Sequence, residues 1–216
     1  MNWCIRHKYF LFCISLFVFM LVQLSDPRAA SIQNERILIS VLHAFMVGLI
    51  GWELFSGKIP KVLWIAAFLI VVVFSRVAYF SGPDATVLPL VALLFRMAFT
   101  FLVIWQLLAC QLGKQILGAD DIFAALAVYL LIGLAFTDAY LMLLVLEPAD
   151  TLNVHFSQIR IGDVFYFSFI TLSTVGYGDL IPVSAYARGL SILEGVLGVT
   201  FLATMVARAV SLQKSS

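Results

Sequence analysis

Thr174-Val175-Gly176-Tyr177-Gly178 is the stretch of this chain whose residue types and spacing could handle a bare cation. Stripping water from a cation takes a dense column of oxygens, and backbone carbonyls supply one when successive residues alternate between right- and left-handed conformations. Glycine enters the left-handed region without steric cost, and Gly176 and Gly178 stand two apart, as that alternation requires. Thr174 adds a hydroxyl oxygen at one end. Competing chemistries lack their residues. A metalloenzyme or hydrolase needs clustered histidine and carboxylate or a Ser/His pair, whereas the 3 histidines are isolated. Cys4, Cys13 and Cys110 have neither metal-ligand spacing nor the pattern of a disulfide framework.

The elements around this stretch belong to lipid. The chain has 216 residues, 63% hydrophobic and 12% charged, and a net charge of +1 that points to no nucleic-acid partner. Apolar runs at 9–24, 37–55, 62–80, 87–112, 122–146 and 189–212 predict six spanning helices, because about 20 residues at 1.5 Å each cross a ~30 Å hydrocarbon layer. Breaker and capping residues divide them, among them Ser25-Asp26-Pro27, Ser81-Gly82-Pro83 and the helix-starting Asp120 and Asp121. Between the last two runs, a helix capped by Asp163 and ending near Thr174 would be ~18 Å long, too short to cross. It must enter and turn back, and non-helical backbone at that depth is tolerated only where protein buries it or water lines it. The expected fold is an all-α membrane protein with six transmembrane helices and a re-entrant pore helix and filter between helices five and six.

Lys and Arg collect in cytoplasmic loops. Arg6, Lys8, Lys58, Lys61, Lys114, Arg208 and Lys214 fall on one side, against Arg28, Arg36, Arg160 and Arg188 on the other. Both termini are therefore expected in the cytoplasm of a plasma or inner membrane. The basic start and first apolar run also look like a secretory signal, but Arg28 stands where a small residue should precede cleavage. The short ends predict no soluble regulatory domain.

Thr-Val-Gly-Tyr-Gly-Asp at 174–179, preceded by an aromatic-rich half-helix and followed by Pro182 and a glycine-bearing helix, resembles the potassium-channel pore family. The likeness covers about 122–212. It implies a pore domain at 118–212 behind a four-helix membrane domain at 1–115 that is similar to a degenerate voltage sensor. It implies that the carbonyls of Thr174, Val175, Gly176 and Tyr177 coordinate dehydrated K+, the permeant ion, with no other cofactor. Asp179 and Thr171 would support the filter, and Gly198 would be the gating hinge of the inner helix, with Gly195 a helper, the alternative being that these small residues only let helices approach closely. Four filters enclose one ion, so the resemblance implies a homotetramer in the lipid bilayer. Ile170 occupies the position where some members carry an acid that pairs with the aspartate, so that brace is absent.

An arginine ladder is missing: 87–112 holds Arg96 alone. One charge in each of four subunits supplies roughly 9 kcal/mol per 100 mV, against the about 12 to 16 charges of a working sensor. Arg96 is expected to pair with Asp138 or Glu53, and Arg76 to reach toward Asp84. Asp138 and Glu194 lie inside spans and must face protein or water, either as filter support or as packed polar contacts. Phe165, Tyr166, Phe167 and Phe169 are expected to form a cuff around the half-helix. His155 and His43 read as a solvated residue and a helix contact. The expected function is a potassium-selective channel subunit, not an enzyme, with little or no voltage dependence. The alternatives are a non-conducting regulatory subunit or a cation transporter, the latter disfavoured because only one broken segment is present.

Overall fold

The computed structural model describes residues 8–24, 87–112, 119–147, 151–153 and 159–213. Among these are five helices: α1 (Lys8–Leu24), α2 (Val87–Leu112), α3 (Ala119–Leu146), α4 (Ile161–Leu172) and α5 (Ala185–Gln213). Within them, three segments are long and apolar enough to cross a membrane, Val87–Gln111, Asp120–Leu146 and Ala185–Arg208. The 17 residues of α1 amount to about 25 Å, slightly short of the full hydrocarbon layer. The expected second and third spans, with His43, Glu53 and Arg76, lie outside the described residues, as does His155.

α2 begins and ends where the apolar run predicts. α3 and α5 both begin earlier than hydropathy alone implies, because polar residues start them. α3 starts at Ala119 with Asp120 and Asp121 in its first turn, where negative charge suits the positive end of the helix dipole. α5 starts at Ala185 because the Ser184 hydroxyl accepts the Ala187 N–H at 3.1 Å, an N-cap. In α4, Asp163 is not the cap itself but its third residue. Its carboxylate turns back to accept the Arg160 N–H at 2.9 Å, which moves the helix start to Ile161.

α3 is the hub. It touches α1, α2, α4 and α5, and its sequence is apolar around the whole circumference, as a helix with neighbours on every side must be. One core joins Phe12 and Leu16 of α1, Val103 and Leu107 of α2 and Ala124, Ala127, Val128 and Leu131 of α3. A second joins Tyr140 and Leu144 of α3 to Leu152, Val164 and Phe167.

Directions follow from contacts at one end of this bundle. The Cys13 thiol donates to the Phe123 carbonyl at 2.9 Å, the Gln111 amide to the Asp121 carbonyl at 3.4 Å, and Arg208 Nη2 to the Gln111 carbonyl at 2.5 Å. The starts of α1 and α3 and the ends of α2 and α5 therefore share one face.

Candidate functional site

α4 packs Val164 and Phe167 beside Tyr140 and Leu144 of α3. Its far end lies much deeper along α3, where the Tyr129 hydroxyl donates to the Leu172 carbonyl at 3.2 Å. From there the chain leaves helical geometry and returns to the level at which α4 began. Leu152 bridges Pro182, and the Asn153 and Val183 N–H groups donate to the Ile181 and Thr151 carbonyls at 3.1 and 3.0 Å. Asn153 clamps the return: its side chain donates to the Asp179 carbonyl at 3.1 Å and accepts the Ile181 N–H at 3.0 Å.

The backbone between these supports alternates. Thr174, Gly176 and Gly178 have φ of 59°, 51° and 81°, while no other described non-glycine residue has positive φ. Every second residue is thus left-handed. The two glycines are those the spacing singled out, and a Cβ at either would be strained by φ alone although nothing crowds it. Thr174 is a departure, since a β-branched residue there costs about 1–3 kcal/mol and persists only where its surroundings force it. They do: the Thr174 N–H donates to the Thr171 carbonyl at 3.0 Å, and the Val175 and Gly176 N–H groups both donate to the Ile170 carbonyl, at 2.9 and 3.1 Å. With its N–H groups tied back to α4, the strand is held by its donors. Val175 and Tyr177 are 52% and 73% exposed, so this strand runs along an uncovered side of the chain.

The aromatic residues of α4 take separate partners. Tyr166 stacks on Tyr177 at 6.5 Å, Phe167 meets Tyr140 edge-on at 5.0 Å, and Phe165 lies against Phe169 at 4.5 Å. Phe169 in turn fills the space over Gly133, where a Cβ would come within 2.6 Å of its ring. Tyr166 brings Asp179 into this group. Desolvation, then the hydrogen bond and charge of Asp179, hold its phenol above the ordinary range. Thr171 supports the strand through its carbonyl, because its hydroxyl donates to Phe167 O at 2.8 Å within α4. At the helix start, desolvation raises the Asp163 carboxyl, but the Arg160 hydrogen bonds outweigh it and hold the group below its ordinary value.

Beneath α4 lies α5. Gly198 is buried against the Leu172 carbonyl, leaving no room for a Cβ, whereas Gly195 faces open space. Glu194 is fully buried. It accepts the Tyr140 hydroxyl at 2.8 Å and lies 2.5 Å from the Ser168 hydroxyl. On the opposite side of α3, Arg96 Nε donates to Asp138 Oδ2 at 2.8 Å and Nη2 to Oδ1, a two-pronged ion pair as expected. Sequence reasoning missed Tyr129, Tyr140, Asn153 and Ser168, all of which hold this region. Tyrosine and serine in apolar helices signal a buried partner without saying which, and Asn153 carried no signal.

Such a fold defines a helical membrane protein that presents a supported non-helical strand along an uncovered side. Residues 122–213, covering nearly all of α3 and all of α4 and α5, match a family model described as an ion channel. The chain is 47% identical over 49 residues to two-pore potassium channel 4 of Arabidopsis thaliana, covering 23% of this chain and 17% of that protein. It is 55% identical over 40 residues to the voltage-gated potassium channel Kch of Escherichia coli strain K12, covering 18% of this chain and 10% of that one. It therefore spans less than a fifth of the length of these relatives. No solved structure matches.

Proposed function

We propose that this chain is one subunit of a homotetrameric potassium-selective channel, in which Thr174, Val175, Gly176, Tyr177 and Gly178 form the filter of a re-entrant loop. The observation that carries the reading is the alternation of left-handed φ at 174, 176 and 178 on an exposed strand. Alternation turns successive carbonyls toward one side, where they replace the hydration shell of K+. One chain supplies one such wall, and fourfold symmetry closes the ring. The uncovered apolar face of α5, including Ile192, Val196, Val199 and Val206, is then available to the other copies and the conduction path.

The helix directions support a six-span order with both termini on one face, and the Lys and Arg count is what makes that face the cytoplasmic one. α1 runs parallel to α3 and antiparallel to α2, so the chain leaves α1 and enters α2 on the same face. An even number of crossings between them satisfies this, and the two expected spans supply it. Residues 118–212 are read as the pore domain and 1–115 as a four-helix domain with little or no voltage response, since Arg96 is bound by Asp138. Gly198 is read as the gating hinge of α5, and because a Cβ there would also meet the Leu172 carbonyl, Gly198→Ala lowers open probability; unchanged open times would remove the hinge role.

Reconstitution in a bilayer with K+ on one side and Na+ on the other tests the function. A reversal potential close to that of K+ is expected. A value near zero would remove selectivity, and silence at all voltages would point to a regulatory subunit.

A further inference from the structure

From the hydrogen-bond geometry around Glu194 we infer that this carboxyl carries a proton on Oε1 and acts as the positioning residue that holds α4, through Ser168, at the depth the filter requires. The second half rests on the channel reading; the proton assignment does not.

The Ser168 hydroxyl lies 2.8 Å from the Gly133 carbonyl and 2.5 Å from Glu194 Oε1. The Gly133 carbonyl also accepts the Thr137 hydroxyl at 2.9 Å, yet two oxygens at 2.8 Å still need a hydrogen between them; a carbonyl only accepts, so Ser168 supplies it, and the 2.5 Å contact then needs a hydrogen from Glu194. Were Glu194 ionised, the serine hydrogen would turn to it and leave two acceptor oxygens 2.8 Å apart with none between them. The other carboxyl oxygen is already supplied: the Tyr140 hydroxyl reaches Oε2 at 2.8 Å. Ser191, 3.2 Å from the same tyrosine, spends its hydrogen on the Ala187 carbonyl at 2.9 Å. One proton on Glu194 therefore supplies a hydrogen to each of its own contacts and to the Ser168–Gly133 contact, and only the longer 3.2 Å approach of Tyr140 and Ser191 is left without one.

The groups around Glu194 from the helices packed against it are Tyr140 and Thr137 of α3 and Ser168 of α4, with Ser191 from its own helix and the Tyr129 hydroxyl farther off on the Leu172 carbonyl. None is a base. Arg188 and Arg208, on the same helix, reach the Pro182 and Gln111 carbonyls instead. Asp138 is held by Arg96 on the α2 side of α3. The cluster joins α3, α4 and α5 at one point. Ser168 sits two residues before Ile170, whose carbonyl binds the Val175 and Gly176 N–H groups, so a shift of α4 reaches the strand directly.

Infrared difference spectra of the purified full chain, wild type minus Glu194→Gln, test the proton. A protonated-carboxyl band near neutral pH that disappears in the variant is expected; its absence from the wild type overturns the assignment, whether or not the protein conducts. Recordings of Glu194→Gln, Glu194→Ala and Ser168→Ala test positioning. Glutamine offers Ser168 an N–H and Tyr140 a carbonyl, as the neutral acid does, so Glu194→Gln should keep the wild-type K+/Na+ permeability ratio. Glu194→Ala should lower it about tenfold, and Ser168→Ala should add little to that variant. Loss of selectivity in Glu194→Gln equal to that in Glu194→Ala, or no loss in either, overturns the role.

Discussion

Two seams flank α3, and each is closed around a carboxyl inside the bundle, but by different means. On the α2 side, Asp138 meets the guanidinium fork of Arg96, an ion pair whose partners each depend on the other. On the side of α4 and α5, Glu194 meets only hydroxyls, and three helices share one hydrogen-bonded cluster. An ion pair ties two elements firmly and cannot lose one member cheaply. A cluster of neutral bonds is weaker bond by bond, yet it registers three elements at once, and it is the seam that adjoins the alternating strand.

The largest expected way to break this contrast is to orphan the charge. Asp138→Ala leaves the Arg96 charge, on a side chain 43% exposed along an apolar helix, without its partner and should cost about 2.5–3.5 kcal/mol of stability in detergent. Replacing both residues by leucine should recover most of that loss in thermal unfolding. Next comes overpacking on the other seam. Gly133→Ala drives a methyl into the Phe169 ring and should destabilise by about 1–3 kcal/mol, with smaller substitutions at Phe169 relieving it. Removing one neutral bond costs less: Tyr140→Phe should lose about 1 kcal/mol, well below the Asp138→Ala value, and a comparable loss from both would erase the distinction drawn between the seams.

The smallest effect concerns pH at the start of α4. Asp163 is depressed in the folded chain, so its pairing with Arg160 contributes fully above the unfolded value of about 3.9 and is lost as pH falls through the lower folded value. The pair is largely exposed, which limits the contribution to about 0.2–1 kcal/mol. Asp163→Asn should remove that acid sensitivity in unfolding curves measured between pH 5 and pH 2.

Much of the architecture was legible because hydropathy and glycine spacing are local properties. α2 matches its apolar run at both ends, the half-helix falls between the two long helices, and Gly176 and Gly178 have the left-handed conformations their spacing required. The Arg96 and Asp138 pair was legible as one of two options, since a charge in a span must find a partner. By itself, then, the sequence determined which segments suit lipid, which short segment cannot cross it, and where the backbone must alternate.

Tertiary structure alone decided what stands behind that backbone. The positive φ of Thr174 follows from N–H groups tied to Ile170 and Thr171, not from its residue type. Asn153 meets Asp179 and Ile181 across 26 and 28 residues of chain, and Glu194 meets Ser168 across 26. Gly198 is confined by a carbonyl of another helix. Hydrogen bonds between distant residues depend on how helices are rotated and how deeply they are set, and a linear pattern of residue types specifies neither.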